Sequence, residues 1–323
     1  MGPSALGSQL RRAARSAMML LAWLVVGVAP AQAAGSAVAG HVFTIAGTGT
    51  AGLPQLRKLA TASQLTPVAL ASDGTGGFFA SVKGGYVVHV FADGALVRIA
   101  GNGAKARGTQ TGDGGAAVDA HIDPSKISLS ATGSLLVANT YPFGSIRQIS
   151  PDGVITTIAG SNTPTGGDGS PATQLYLNNP QGVADLPGGG FLIADTYANL
   201  IWRVDPNGIA RVVAGRFAYA PQDTQAKRAT LDFPQDAQPL ADGGFLIADT
   251  DNRIIRRVFA DGRIMTVAGH RVRNCGHVPP VGCKAPPPTY GPGLARRGVL
   301  AAPVQTLPTA AGGFLIADGS EAR

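Results

Sequence analysis

Charge is scarce in this sequence of 323 residues: Asp, Glu, Lys and Arg together make up 14% of it. Histidine occurs five times and cysteine twice. The formal charge of +7 includes Arg11, Arg12 and Arg15, which lie in residues 1–34 with no acid beside them. Without that stretch, 23 basic residues face 19 acidic ones. An excess so small and scattered gives no electrostatic footprint for nucleic acid. The apolar run from Met18 to Ala29 spans about 18 Å as a helix, short of the ~30 Å core of a bilayer. No stable membrane span is therefore expected once this segment is removed. Three arginines precede the run, Pro30 breaks it, and Ala31-Gln32-Ala33 supplies the small residues of a cleavage site. Residues 1–34 thus read as a secretory signal peptide, and the mature chain as secreted, periplasmic or at the cell surface. Cys275 and Cys283 follow the signal and stand in a Pro/Gly-rich loop, so an exported chain would pair them as a disulfide. A metal pair is the alternative, with His277 nearby, but a fourth ligand is missing.

Glycine and proline are plentiful, at 45 and 23. That composition suits many short strands joined by turns. Three landmarks recur along the chain. A proline stands at Pro67, Pro124, Pro180, Pro234 and Pro303. Eleven residues later in all five cases comes an apolar residue after a Gly-rich turn: Phe78, Leu135, Phe191, Phe245 and Phe314. An Ala-Gly pair then begins at Ala100, Ala159, Ala214 and Ala268, which is 22, 24, 23 and 23 residues further on. Within residues 234–269, turns at Ala241-Asp242-Gly243-Gly244, Thr250-Asp251-Asn252 and Asp261-Gly262 separate short apolar runs. Each unit therefore reads as four short strands. Such units, repeated at this period, predict an all-β propeller of about five four-stranded blades. The units fall near 67–100, 124–160, 180–214, 234–269 and 303–323 of a domain at 41–323.

These residues resemble the NHL repeat family. Phe191-Leu192-Ile193-Ala194-Asp195-Thr196 and Phe245–Thr250 look like its signature strand and turn. Asn252-Arg253-Ile254 looks like the following turn, and Asp152–Gly160 like the outer strand. Loops at Thr111–Ala117 and Gly167–Ala172 resemble those of exported bacterial members. The resemblance covers roughly residues 41–318. The first unit departs from it with Ser81-Val82-Lys83-Gly84-Gly85, and the second with Asn139-Thr140. It implies a protein, peptide or glycan partner.

Two irregularities stand out. The step from Ala-Gly pair to next proline lengthens to 35 residues between units four and five, an insertion at 270–300 that holds both cysteines. Insertions on one face of a propeller often carry binding. At the other irregularity, Asp318–Arg323 aligns with the turn that begins at Asp249, so unit five ends before its third strand. His41–Gly47 looks like an outer strand with no unit before it. Ring closure by that N-terminal strand is the expectation, with five or six blades in a complete relative.

Catalytic and cofactor motifs are thin. The channel of a propeller is lined by the start of each innermost strand, just after the landmark proline. Those positions contain one carboxylate, Asp236, one lysine, Lys126, and no histidine. This falls short of the ligand set of a zinc or calcium site. No Gly-x-Ser-x-Gly elbow is present, and the Gly-rich stretches lead into strands rather than helices. Asp113 and Asp168, single acids among glycines, are expected to close their own turns. Asp195 and Asp249 are expected to bond backbone in the turn that follows.

The sequence therefore predicts a non-enzymatic binding or interaction module with no catalytic residues, no metal and no cofactor. Two patches are candidates for the contact. One is Lys126, Gln181, Gln235, Asp236 and Gln305 near the channel. The other is Arg271, Arg273, Lys284, Arg296 and Arg297 in the basic insertion, suited to an acidic partner such as an anionic cell-envelope polymer. A metal-dependent propeller enzyme of lyase or lactonase type is one alternative, and a structural spacer domain of a longer chain is another.

Overall fold

Each landmark proline begins a strand, where its missing N–H leaves no ladder bond unmade. The computed structural model describes residues 44–52, 59–103, 112–140, 144–215, 225–270 and 295–319, all within one unit, Val42–Arg323. The expected signal peptide, Cys275, Cys283, Arg271, Arg273 and Lys284 lie outside the described residues.

Blade 1 contains β1 (Pro67–Ser72), β2 (Phe78–Val82), β3 (Tyr86–Val90) and β4 (Leu96–Ala100). Blade 2 contains β5 (Pro124–Leu129), β6 (Leu135–Asn139), β7 (Ser145–Ile149) and β8 (Ile155–Ala159). Blade 3 is β9 (Pro180–Asp185), β10 (Phe191–Asp195), β11 (Leu200–Val204) and β12 (Ala210–Gly215). Blade 4 is β13 (Pro234–Pro239), β14 (Phe245–Asp249), β15 (Ile254–Val258) and β16 (Ile264–Ala268). Blade 5 has β17 (Pro303–Pro308) and β18 (Phe314–Asp318) among the described residues. Every sheet is an antiparallel meander in chain order. The protein is an all-β propeller, with four four-stranded blades and two strands of a fifth among the described residues.

In blades 2, 3 and 4 the second strand is buried along its length because both of its faces are covered. In blade 4, Phe245 and Ile247 pack back onto blade 3 with Leu192, Ala194 and Ile201. Leu246, Ala248 and Ile255 pack forward onto Phe314 and Ile316 of blade 5. Successive side chains thus serve successive interfaces, as the two-residue period of a strand dictates. The same alternation joins blade 1 to blade 2 and blade 2 to blade 3.

The Ala-Gly pair ends each outer strand for a steric reason. Gly101, Gly160, Gly215 and Gly269 all have positive φ. A Cβ at any of them would collide with the carbonyl at the entrance to the third strand of the same blade: Gly85, Gly144, Asn199 or Arg253. The Gly101, Gly160 and Gly269 amides each donate at 2.9 Å to the carbonyl of an alanine in the following 3-10 turn. Gly47 makes the same 2.9 Å bond to Ala60. It therefore sits in the position that ends an outer strand.

Candidate functional site

The innermost strands β1, β5, β9, β13 and β17 pack one against the next around the channel. Every one carries a register shift beside its landmark proline, at Pro67/Ala69, Pro124/Ile127, Pro180/Gly182, Pro234/Asp236 and Pro303/Gln305. A bulge lifts one or two residues out of the ladder and re-aims them. The lifted residues are Val68, Ser125, Lys126, Gln181, Gln235 and Val304. Hence three of the five channel candidates owe their direction to a bulge.

Beside the bulges of β5, β9, β13 and β17, a carbonyl is met by a side chain from another blade. Ser81 Oγ donates to the Ser125 carbonyl at 2.5 Å, and Ser125 Oγ to the Gln181 carbonyl at 3.1 Å. Thr196 Oγ1 donates to Pro234 at 2.9 Å, and Thr250 Oγ1 to Pro303 at 2.8 Å. At Gly182 the strands come close: a Cβ there would lie 2.8 Å from the Gln235 carbonyl oxygen and 3.2 Å from Asp236 Cα.

At the centre, Lys126 reaches across from blade 2. Its Nζ donates to Asp236 Oδ1 in blade 4, 3.0 Å away, and to the Val304 carbonyl in blade 5 at 2.8 Å. Asp236 is fully buried. Its Oδ2 accepts from the Thr306 amide at 2.8 Å and from Thr306 Oγ1 at 3.3 Å, while Oδ1 also accepts from Gln238 Nε2 at 2.9 Å. Burial pulls the Lys126 ammonium below its usual range, and the Asp236 carboxylate offsets part of that fall. Among the polar entries, Lys126 and Asp236 are brought into direct contact. Gln181, Gln235 and Gln305 are half-buried along the same strands. Gln305 also lines a cavity of about 810 Å³ bounded by β1, β5, β17 and β18, with Gln238 of β13 in its wall. Thr306 and Gln238 complete the shell of Asp236, and sequence reasoning did not single them out. Gln238 was legible as the next residue on the same face of β13, two positions after Asp236.

Arg296 and Arg297 are exposed, in a short 3-10 turn beside β16, where Arg296 lies 3.9 Å from the Met265 sulfur.

Several acids have other partners than their sequence contexts suggested. Asp113 pairs with the fully buried Arg147 of β7 at 2.6 Å. Asp168 Oδ1 accepts from the Val212 amide of β12 at 2.8 Å. Both tie an inter-blade loop to a strand rather than closing their own turn. Asp195 and Asp249 accept from the amides of Asn178 and Asp232, at 2.7 and 2.8 Å, in the connection before their own blade's first strand. His89 stacks between Phe79 and Phe91 and bonds Asp73 at 2.9 Å. Among the described residues, no three His, Cys, Asp or Glu side chains gather as a metal site would require. Nor is any helix among them long and apolar enough to cross a membrane.

The profile of the teneurin NHL domain matches residues 92–320. The chain belongs to the teneurin NHL domain family. No curated protein sequence matches it. Among solved structures, a streptogramin B lyase is similar at 13% identity, covering 78% of this chain and 62% of its own, with a TM-score of 0.46. A putative gluconolactonase is similar at 17% identity over 59% of each chain, with a TM-score of 0.38. An auxiliary nutrient binding protein from Bacteroides ovatus is similar at 16% identity, covering 83% of this chain and 73% of its own, with a TM-score of 0.43. The NHL chain thus spans less than two thirds of the length of the lyase. At these identities the likeness shows the fold alone. One expectation is corrected, that this chain is not an enzyme: the propellers similar to it include a lyase and a putative gluconolactonase.

Proposed function

We propose that this NHL propeller is an exported protein that binds a neutral, hydrogen-bonding ligand, a peptide or a glycan, at the mouth of its central channel. The observation that carries this reading is the position of Lys126. It crosses the channel to Asp236 and Val304, so the only cation among the channel entries is neutralised on the spot. What the channel then offers a ligand is amide and hydroxyl groups from Gln181, Gln235, Gln305 and their neighbours. Groups of that kind, placed on rigid strands, recognise polar uncharged molecules. Calorimetric titration of the purified chain with chitin oligosaccharides and short neutral peptides tests the reading. Saturable binding that is lost in a Lys126→Met/Asp236→Leu variant supports it, and binding that survives in that variant contradicts it.

One observation favours a second reading, an enzyme of lyase or lactonase type. A lysine whose basicity is lowered by burial is a candidate general base, able to take a proton beside a carbonyl or from a water attacking an ester. Lys126 has that environment, and the reading rests on it rather than on a metal. Lactone and cyclic depsipeptide turnover, measured with wild type and Lys126→Met, decides it: turnover lost in the variant is the expected result.

A further inference from the structure

A groove of about 440 Å³ lies between blades 3 and 4, and its lining falls into two parts. The floor is apolar: Leu186 and Leu192 of blade 3 and Phe245 and Val258 of blade 4 are all buried. The rim carries Arg203, Lys227 and Arg263, all exposed, with Asp261 as its one acid. Arg263 Nε already donates to Asp261 Oδ2 at 2.7 Å. Among the described residues, Arg203 and Lys227 have no ion pair. The rim therefore keeps two uncompensated cations above an apolar floor.

The same groove one blade earlier shows that the fold does not require these cations. Between blades 2 and 3, a cavity of about 520 Å³ has the matching floor, with Leu136, Phe191 and Val204 in the places of Leu192, Phe245 and Val258. There Gln148 replaces Arg203 as the fourth residue of the third strand, and Thr173 replaces Lys227 as the second residue of the 3-10 turn. Ile209 stands where Arg263 does, each bridged to the residue before that turn, as Pro171↔Ile209 and Gln225↔Arg263. Strand pairing points the same way. Opposite the fourth residue of the third strand stand Val97, Thr156 and Met265 in blades 1, 2 and 4, but Arg211 in blade 3. Arginines directly opposite each other repel. Of blades 1–4, blade 3 alone holds such a pair, and it holds it beside the groove.

We infer that the groove between blades 3 and 4 binds a small aromatic acid, its ring against the apolar floor and its anionic group at Arg203 and Lys227. Its volume falls within the ~300–1,000 Å³ of small-molecule sites. A flat body suits it because planar groups already stack on Phe259 in its wall: the guanidinium carbons of Arg257 and Arg263 lie 4.8 and 5.0 Å from that ring's centroid. An anion at Arg203 also offsets the repulsion from Arg211. The proposal stands apart from the channel reading, because neither Lys126 nor Asp236 lines this groove.

The probe is naphthoate, titrated calorimetrically into the full chain, with naphthamide as its neutral counterpart and acetate as the anion without a ring. Saturable one-to-one binding of naphthoate is expected, with a Kd of about 1 mM or tighter. Naphthamide and acetate should each bind about tenfold more weakly or not at all, since each lacks one half of the match. Added salt should weaken naphthoate binding. The variant Arg203→Gln/Lys227→Thr gives this groove the residues of its neighbour. Both side chains are exposed, so the variant stays folded. Its affinity for naphthoate should fall about tenfold. Absence of saturable naphthoate binding overturns the proposal. So does equal binding of naphthamide or acetate, and so does equal binding by the variant. Naphthoate binding that is lost in Lys126→Met/Asp236→Leu but kept in Arg203→Gln/Lys227→Thr also overturns it, while leaving the channel reading in place.

Discussion

Thr250 Oγ1 donates to the Pro303 carbonyl at 2.8 Å, so a turn residue of blade 4 fixes the first residue of blade 5. Thr196 does the same for Pro234 one blade earlier. Both threonines are buried. Thr196→Val keeps the side-chain shape and removes the donor from a carbonyl beside a bulge. A loss of about 1–3 kcal/mol is expected, read as a lower urea midpoint with an unchanged slope.

Asp195 makes stability depend on pH. Burial pushes its carboxyl up to about 7, against bonds from Trp202 Nε1 and the Asn178 amide. Its counterpart Asp249 faces Arg256 at 3.6 Å, whereas Asp195 has Trp202 in the corresponding place. The folded state holds the Asp195 proton more tightly than the unfolded chain, whose value stays near 3.8. This residue's contribution to stability therefore falls as pH rises from about 4 to about 7, with the full cost present above that window. Urea unfolding of wild type against Asp195→Asn at pH 5 and pH 8 measures it: the variant should lose less stability on the rise.

Lys126 and Asp236 should respond unequally to single substitutions. Asp236→Ala leaves a buried ammonium without its counter-charge and should cost about 3–5 kcal/mol. Lys126→Met leaves Asp236 with the Thr306 and Gln238 donors and should cost less. The double variant should be less damaging than the two singles added together. Chemical denaturation of the three proteins checks the order.

Gly182 is where β9 approaches β13. Gly182→Ala places a methyl group 2.8 Å from the Gln235 carbonyl oxygen and 2.9 Å from Ala194 Cβ. Both are parts of packed strands, so the blades must shift apart, at about 1–3 kcal/mol. A lowered thermal midpoint is the expected readout.

The scaffold was legible because its landmarks are local. Pro67, Pro124, Pro180, Pro234 and Pro303 each begin a first strand, and Ala100, Ala159 and Ala268 each end an outer one. A proline at a strand start and a positive-φ glycine after a strand end act within a few residues. The site was legible in part. Lys126 and Asp236 could be named from the ring order, but their contact joins residues 110 positions apart through three bulged strands. No short-range signal marks a bulge. The partners of Asp113 and Asp168 were misjudged for the same reason, since Arg147 and Val212 approach through the fold and not through the turn.

The central claim is that the channel around Lys126 and Asp236 is the functional surface. The most direct measurement compares ligand binding by the wild type and by Lys126→Met/Asp236→Leu, a pair of changes that removes both charges together. Titrated with the same panel of chitin oligosaccharides and neutral peptides, the wild type should bind at least one member saturably, and the folded double variant should bind it about tenfold more weakly or not at all. Equal affinity of the two proteins would place the binding surface elsewhere on the propeller and contradict the claim.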